Sequence, residues 1–192
     1  MLSSFSRYLE TLLEWIVIAL MVFLTTVVIV AVIFRIFGNS LSWYDEVAAV
    51  LLSWVTYYGA GLAALKRRHI GFDSVLLSLP KGLRMMAVVV AESVVVGFFV
   101  ILAWTGFQVL EVLEGEMLGS LTWVPSQLTQ SIIPIGGMLF VLCELLSLPG
   151  YWKQTASGIS LEHAEIEEEV KAELRNAGAL DYDDNPKPAE QR

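Results

Sequence analysis

Hydrophobic and polar positions divide the first part of the chain into four long apolar runs that are separated by shorter polar segments. A helix needs roughly 20 apolar residues to cross the hydrocarbon core of a bilayer. Four runs reach about that length, and they are Trp15–Phe34, Val47–Leu65, Met85–Leu110 and Ser131–Leu148. The pattern therefore predicts an all-α integral membrane protein with four transmembrane helices.

Two further features of the sequence refine the prediction of four spans. Residues Glu114–Thr129 are too short and too broken by glycine and proline to span, so we expect an interfacial or partly re-entrant segment there. The first run does not resemble a cleavable signal, because Glu10 and Glu14 precede it and no small-x-small site follows. We expect it to remain in the protein as a transmembrane helix.

Composition agrees with a membrane protein, since 56% of the residues are hydrophobic, which is more than an ordinary soluble domain carries. The only cysteine, Cys143, lies inside the fourth run. It cannot form an intrachain disulfide, so we expect it to act as a small packing residue.

The loop between the second and third runs is the most basic part of the chain. Short loops rich in Lys and Arg remain on the cytoplasmic side of a membrane. We therefore expect this loop to anchor the inner face, and four spans then place both termini in the cytoplasm. The anchor residues are Lys66, Arg67, Arg68, His69, Lys81 and Arg84.

The chain changes character after Lys153, which predicts a membrane domain of residues 1–153 and a cytoplasmic acidic tail of residues 154–192. Residues 160–175 show the pattern of an acidic amphipathic helix, and the remainder has too little apolar content to fold. Most of the excess acid in the net charge of −8 lies in this tail. Such a charge argues against nucleic acid as a partner. The tail is either a solvated extension or an element bound by another protein.

Two acidic residues, Glu92 and Glu144, fall inside predicted spans. Ionisable groups are costly in lipid, so they mark either a functional site or a buried pairing. Both lie near the inner ends of their helices, where Lys66, Arg67 or Lys153 could pair with them. A proton or sodium relay is the alternative. The sequence shows no cluster of His, Cys and carboxylate and no Gly-rich phosphate loop, so we expect neither an enzyme nor a cofactor site.

The second run carries small residues at three- and four-residue spacing, with Gly59 beside them: Ala49, Ser53, Thr56, Ala60 and Ala63. A stripe of small residues lets another helix approach closely. That helix belongs either to this chain or to another subunit. At the opposite end from the basic loop, Arg35 closes the first run near Glu46, and we expect these two charges to form an ion pair across the first hairpin.

An ordered set of residues extends through the first hairpin and the following loop, namely Arg35, Trp43, Glu46, Trp54, Gly59-Ala60, Ala63, His69-Ile70, Asp73 and Leu79-Pro80. Val124-Pro125 and Ile133-Pro134-Ile135-Gly136 occur before the last run. Together they resemble the small membrane subunit of tripartite ATP-independent periplasmic (TRAP) transporters, over roughly Leu13–Leu148. The sequence departs from that family where Lys66-Arg67-Arg68 directly precedes His69, and in its long acidic tail.

The resemblance implies a bacterial inner-membrane subunit that works with a large membrane subunit and a periplasmic solute-binding protein. In that family the large subunit holds the substrate and sodium sites, and the small subunit enlarges the stationary scaffold. Substrates would be organic anions such as dicarboxylates, imported with the sodium gradient. The candidates for the subunit interface are Arg35, Trp43, Glu46, Ser53, Trp54, Gly59, Ala60 and Ala63.

Two other functions remain open on the sequence. The chain could assemble with itself into a small transporter or channel that uses Glu92 as its coupling carboxylate. Alternatively, it could anchor a soluble enzyme to the membrane through the acidic tail.

Overall fold

The computed structural model describes residues 2–67 and 79–157, together with Val170 and Glu173. Its helices are α1 (Leu2–Ile36), α2 (Tyr44–Lys66), α3 (Lys81–Val112), α4 (Ser126–Gln130) and α5 (Ile132–Ser157). Four segments, formed by α1, α2, α3 and α4 with α5, are long and apolar enough to span a membrane. Within the described ranges no strand forms beyond an isolated bridge between Met117 and Pro125. The predicted all-α class with four spans is confirmed.

The long helices extend beyond the apolar runs that predict them. Helix α1 begins at Leu2, and its 35 residues correspond to about 50 Å, well beyond the roughly 30 Å of a hydrocarbon core. Helix α5 continues to Ser157, so the predicted boundary after residue 153 falls inside a helix. Pro134 does not break α5, because it lies in the first turn, where a backbone N–H has no partner inside the helix.

Helices α2 and α5 form the centre of the molecule. Helix α1 packs mainly against α2, and α3 packs mainly against α5. Burial follows this arrangement. In the α4–α5 segment 39% of the apolar stretch is buried, whereas in α3 only 6% of the apolar stretch is buried. The outer helices thus contact the rest of the chain along one stripe each. Their remaining apolar surface is available to lipid or to another subunit.

Glycines allow the close approach of α5 to its two neighbours. A Cβ atom at Gly136 would lie 2.6 Å from Cδ1 of Tyr57 on α2, and one at Gly106 of α3 would lie 2.9 Å from Pro134. Beside these contacts, the rings of Phe99 and Phe140 stack with their centroids 3.6 Å apart. Both α2 and α3 therefore fit against α5 only because the contact positions lack side chains.

A small cluster of buried side chains joins α1, α2 and α5. It consists of Leu13, Ala64, Leu65, Phe140 and Cys143. Cys143 is fully buried in this cluster and makes no disulfide. Its predicted role as a packing residue is confirmed.

The segment between α3 and α5 folds back on itself instead of spanning. The Leu118 N–H donates to the Val124 carbonyl at 3.0 Å, and the Ser126 N–H donates to the Glu116 carbonyl at 2.9 Å. The short helix α4 follows, and its residue Thr129 accepts a hydrogen bond through its carbonyl from Trp54 Nε1 at 3.2 Å. The expectation that residues 114–129 do not cross the membrane agrees with this geometry as far as Pro125, whereas the residues from Ser126 onward belong to the fourth spanning segment.

The predicted tail helix over residues 160–175 and the predicted disordered end fall outside the described residues, apart from Val170 and Glu173. Those two positions are helical. Arg68 and His69, which we expect in the basic anchor, also lie outside the described ranges.

We predict that Gly136→Ala destabilises the fold by about 1–3 kcal/mol, because the added methyl group would force the Tyr57 ring and α5 apart. The matched control is Gly97→Ala on α3, where a Cβ atom would meet nothing within 4 Å. Thermal unfolding of the purified chain in mild detergent measures the difference. Equal midpoints for the two variants would show that the α2–α5 contact is not as tight as the structure has it.

Candidate functional site

The C-terminus of α2 meets the N-terminal part of α3 and the C-terminal part of α5 at what we call the basic end of the molecule. Arg67 follows α2 with a φ of 54° and a ψ of 28°, which is the left-handed region. Its N–H donates to the Ala63 and Ala64 carbonyls and so closes the helix. Glycine usually occupies such a position, and an L side chain costs of order 1–2 kcal/mol there.

This backbone turn directs the Arg67 side chain back between the helices. Nη1 lies 2.5 Å from Oε1 of Glu92 on α3 and 2.7 Å from Oε1 of Glu144 on α5. Nε donates to the Ser147 hydroxyl at 2.8 Å, and the guanidinium lies 4.6 Å from the centre of the Tyr151 ring. We call these five residues the Arg67 cluster. One side chain thereby ties three of the four spanning segments together.

The Arg67 cluster is largely withdrawn from solvent. The Arg67, Glu92 and Glu144 side chains are 13%, 17% and 5% exposed. A buried ion pair is costly to break, because the remaining charge has no partner. Of the two sequence-based interpretations of Glu92 and Glu144, the structure shows pairing with a base, and the base is Arg67 rather than Lys66 or Lys153.

Lys66 has a different role, which the sequence analysis did not predict. Its ammonium lies 3.2 Å from Glu10 and also contacts Glu14, both on α1. Successive residues thus attach α2 to every other span, Lys66 to α1 and Arg67 to α3 and α5. The signal was present in the sequence, because acids in the first half of α1 lie beside the base that ends α2 when the two helices form an antiparallel hairpin.

The other described members of the predicted basic anchor separate into two environments. Lys81 begins α3 and is exposed. Arg84 is only 9% exposed, and its Nε has no hydrogen-bond partner among the described residues. The anchor is therefore a mixture of solvated and buried charges rather than one solvated surface.

Glu46 lies at the opposite end, which we call the loop end, and it does not pair with Arg35 as the sequence analysis expects. Its two carboxylate oxygens accept the backbone N–H groups of Gly119 and Ser120 at 3.0 and 2.8 Å. The Ser120 hydroxyl adds a bond to the Ser42 carbonyl at 3.2 Å. Two adjacent N–H groups satisfy a carboxylate, so Glu46 fixes the loop after α3 to the start of α2.

Arg35 remains exposed in the last turn of α1, and no salt bridge joins it to a described residue. A basic residue suits the negative end of a helix without any acidic partner. The expected Arg35–Glu46 ion pair is therefore wrong, because the folded-back loop occupies the carboxylate.

The small-residue stripe of α2 divides between an inner and an outer surface. Ala60 packs against the buried cluster, whereas Ala49, Ser53 and Thr56 are exposed. The Ser53 and Thr56 hydroxyls donate to carbonyls of α2 itself, at 3.0 and 2.8 Å. A side chain added at Gly59 would meet no atom within 4 Å. Part of the stripe thus presents a smooth surface that the described residues do not cover.

The remaining interface candidates on α2 have intrachain surroundings. Trp54 bonds to Thr129 and meets the Tyr58 ring edge-on, with centroids 6.5 Å apart. Trp43 precedes the first turn of α2 and is partly buried, as is Ala63. These residues hold the chain together in the structure described.

We predict that Arg35→Ala and Glu46→Ala act independently. Glu46→Ala should loosen the loop after α3 and lower the unfolding midpoint, whereas Arg35→Ala should change it little, because the two side chains share no contact. The double variant should show the sum of the two shifts. A double variant that loses clearly less than that sum would restore the ion pair.

Comparison with known protein families identifies the family of this chain. No curated protein matches the chain. A family model described as the DctQ component of tripartite ATP-independent periplasmic transporters matches residues 24–152. This region is more than half of the chain and contains the last part of α1, all of α2, α3 and α4, and most of α5. The chain belongs to the DctQ family, the small membrane subunits of TRAP transporters.

Proposed function

We propose that this protein is the stationary scaffold subunit of a TRAP transporter and packs against the large membrane subunit through the exposed side of α2. The carrying observation is the surface of Ala49, Ser53 and Thr56, which lies near the middle of the molecule and is covered by no described residue. Small side chains with internally bonded hydroxyls allow a close helix–helix contact in lipid. The family match supplies the reason to expect a partner there.

The arrangement of charged side chains in the four spans favours a scaffold role over a role as a path for transported ions. Glu92 and Glu144 are both held by Arg67, and Glu10 and Glu14 both contact Lys66. All of these groups lie toward the basic end. A path for ions needs polar groups at successive depths. The exposed hydroxyls of α2 donate to its own backbone instead.

The transported molecule is proposed from the family alone. TRAP transporters of the kind this sequence resembles import organic anions, such as dicarboxylates, with the sodium gradient. A periplasmic solute-binding protein delivers the substrate. We place the substrate and sodium sites in the large subunit, so this chain would hold no cofactor of its own. Nucleic acid has no part in this proposal.

We propose the bacterial inner membrane as the location, with the basic end at the cytoplasmic face. Lys66 and Arg67 end α2, Lys81 and Arg84 begin α3, and the rule for positively charged loops then orients all four spans. The loop end, which carries Glu46 and the folded-back segment, would face the periplasm.

Reporter fusions test this orientation. Fusions after Gly38 and after Gly119 should report the periplasm, and a fusion after Gly82 should report the cytoplasm. The structure supports the expectation that Gly38 and Gly119 lie on the same side of the membrane, because Glu46 at the start of α2 bonds to Gly119 at the loop end. A cytoplasmic signal at Gly119 would contradict the four-span arrangement.

A substitution on the exposed side of α2 tests the docking surface. We predict that Ser53→Leu lowers co-purification of the large subunit at least several-fold while the isolated chain unfolds at its usual temperature. The larger side chain points away from this chain but would separate two closely packed helices. The matched control is Val94→Leu on α3, where the native side chain is 66% exposed and should face lipid.

The same purification distinguishes the three functions. Recovery of a large hydrophobic protein with the wild-type chain, and its loss in Ser53→Leu, supports the scaffold. Recovery of the chain only as a self-assembled oligomer would favour a small transporter or channel. Recovery of a soluble enzyme would favour a membrane anchor.

A further inference from the structure

The charges of the Arg67 cluster do not balance if every group is ionised. Two carboxyl groups, Glu92 and Glu144, contact the same nitrogen, Nη1 of Arg67, at 2.5 and 2.7 Å. One guanidinium carries one positive charge, whereas two carboxylates carry two negative charges. A net charge of −1 would then be buried inside a membrane protein, and uncompensated buried charge is strongly unfavourable.

The surroundings of the Glu144 carboxyl group indicate how the charges of the cluster are balanced. Glu144 is 4% exposed, and its Oε2 has no hydrogen-bond donor among the described residues. Its carboxyl group nevertheless lies close to that of Glu92, because the Oε1 atoms of both acids contact the same Arg67 nitrogen. Ionised carboxylates only accept hydrogen bonds, so two of them can bond to each other only when one carries a proton.

Among the described residues, Arg67 is the only base that forms a salt bridge with Glu92 or Glu144. On α2, Lys66 faces Glu10 and Glu14 of α1. Within the Arg67 cluster, α5 contributes the Tyr151 ring over the guanidinium, and Cys143 lies next to Glu144 in the chain. On α3, Arg84 precedes Glu92 by two helical turns, and no salt bridge joins it to either acid. None of these described groups supplies a second positive charge to the pair.

We propose that Glu92 and Glu144 share one proton at neutral pH and that the Arg67 cluster is thereby a neutral proton-binding site. The proton bridges the two carboxyl groups, and Arg67 balances the one remaining negative charge. The proton has a structural role, because it lets α3 and α5 bring two acids to one base.

Infrared spectroscopy of the purified chain in a detergent that carries no carbonyl group tests the proposal directly. A protonated carboxyl group has a carbonyl stretch that is separate from those of carboxylates and amides. The wild-type protein should show such a band at neutral pH, and the band should disappear in both Glu92→Gln and Glu144→Gln, because a single remaining acid beside Arg67 ionises. Glu111→Gln, at an exposed position on the outer part of α3, serves as the control and should leave the band unchanged.

Absence of the band in the wild-type protein would overturn the proposal, and so would its survival in either single variant. Thermal unfolding provides an independent measurement. Each single glutamine variant should stay close to the wild-type midpoint, because glutamine resembles a neutral carboxyl group in size and can donate a hydrogen bond. The double variant should unfold at a clearly lower temperature, since Arg67 then has no counter-charge. A double variant as stable as the single variants would also overturn the proposal.

Discussion

The left-handed backbone of Arg67 is the constraint on which the rest of the arrangement depends. A continued helix would carry this side chain past the end of α2, whereas a φ of 54° returns it to the space between α3 and α5. The backbone strain is of order 1–2 kcal/mol. Contacts to two carboxylates, a hydroxyl and an aromatic ring offset it. Substitution by glycine would remove the strain but also the group that ties the helices.

Electrostatic contacts at both ends complement a modest apolar core. Apolar surface gives little driving force for helix association in lipid, so close packing and polar contacts must supply it. Glycines at positions 106 and 136 supply the packing around α5. At the basic end Lys66 and Arg67 fix the order of the spans, and at the loop end Glu46 attaches the folded-back segment to α2. These contacts hold α2 in one position relative to the other spans.

The length of the four apolar runs was enough to predict four spans, because a helix must be long and apolar to cross the hydrocarbon core, whatever it packs against. The helix ends were less predictable, because α1 and α5 continue past the apolar runs into polar sequence. Pairing of Glu92 and Glu144 with a base was also predictable, from the cost of charge in lipid. The identity of the base was not predictable, because Arg67 reaches the two acids through a left-handed backbone conformation at a position that is neither glycine nor asparagine. The predicted Arg35–Glu46 ion pair was wrong for a similar reason. The partners of Glu46 are backbone N–H groups more than seventy positions away, which residue types alone do not indicate.

The division of the small-residue stripe shows what sequence spacing does and does not determine. Ala49, Ser53, Thr56 and Ala60 recur at helical spacing, yet only Ala60 packs against the internal cluster. Helix α2 has two neighbours in this chain, α1 and α5, and the exposed residues lie on the side that neither covers. A stripe that served only internal packing would be covered along its whole length. The described residues leave the other part exposed, and the function proposed above assigns it to a contact with another component of the transporter.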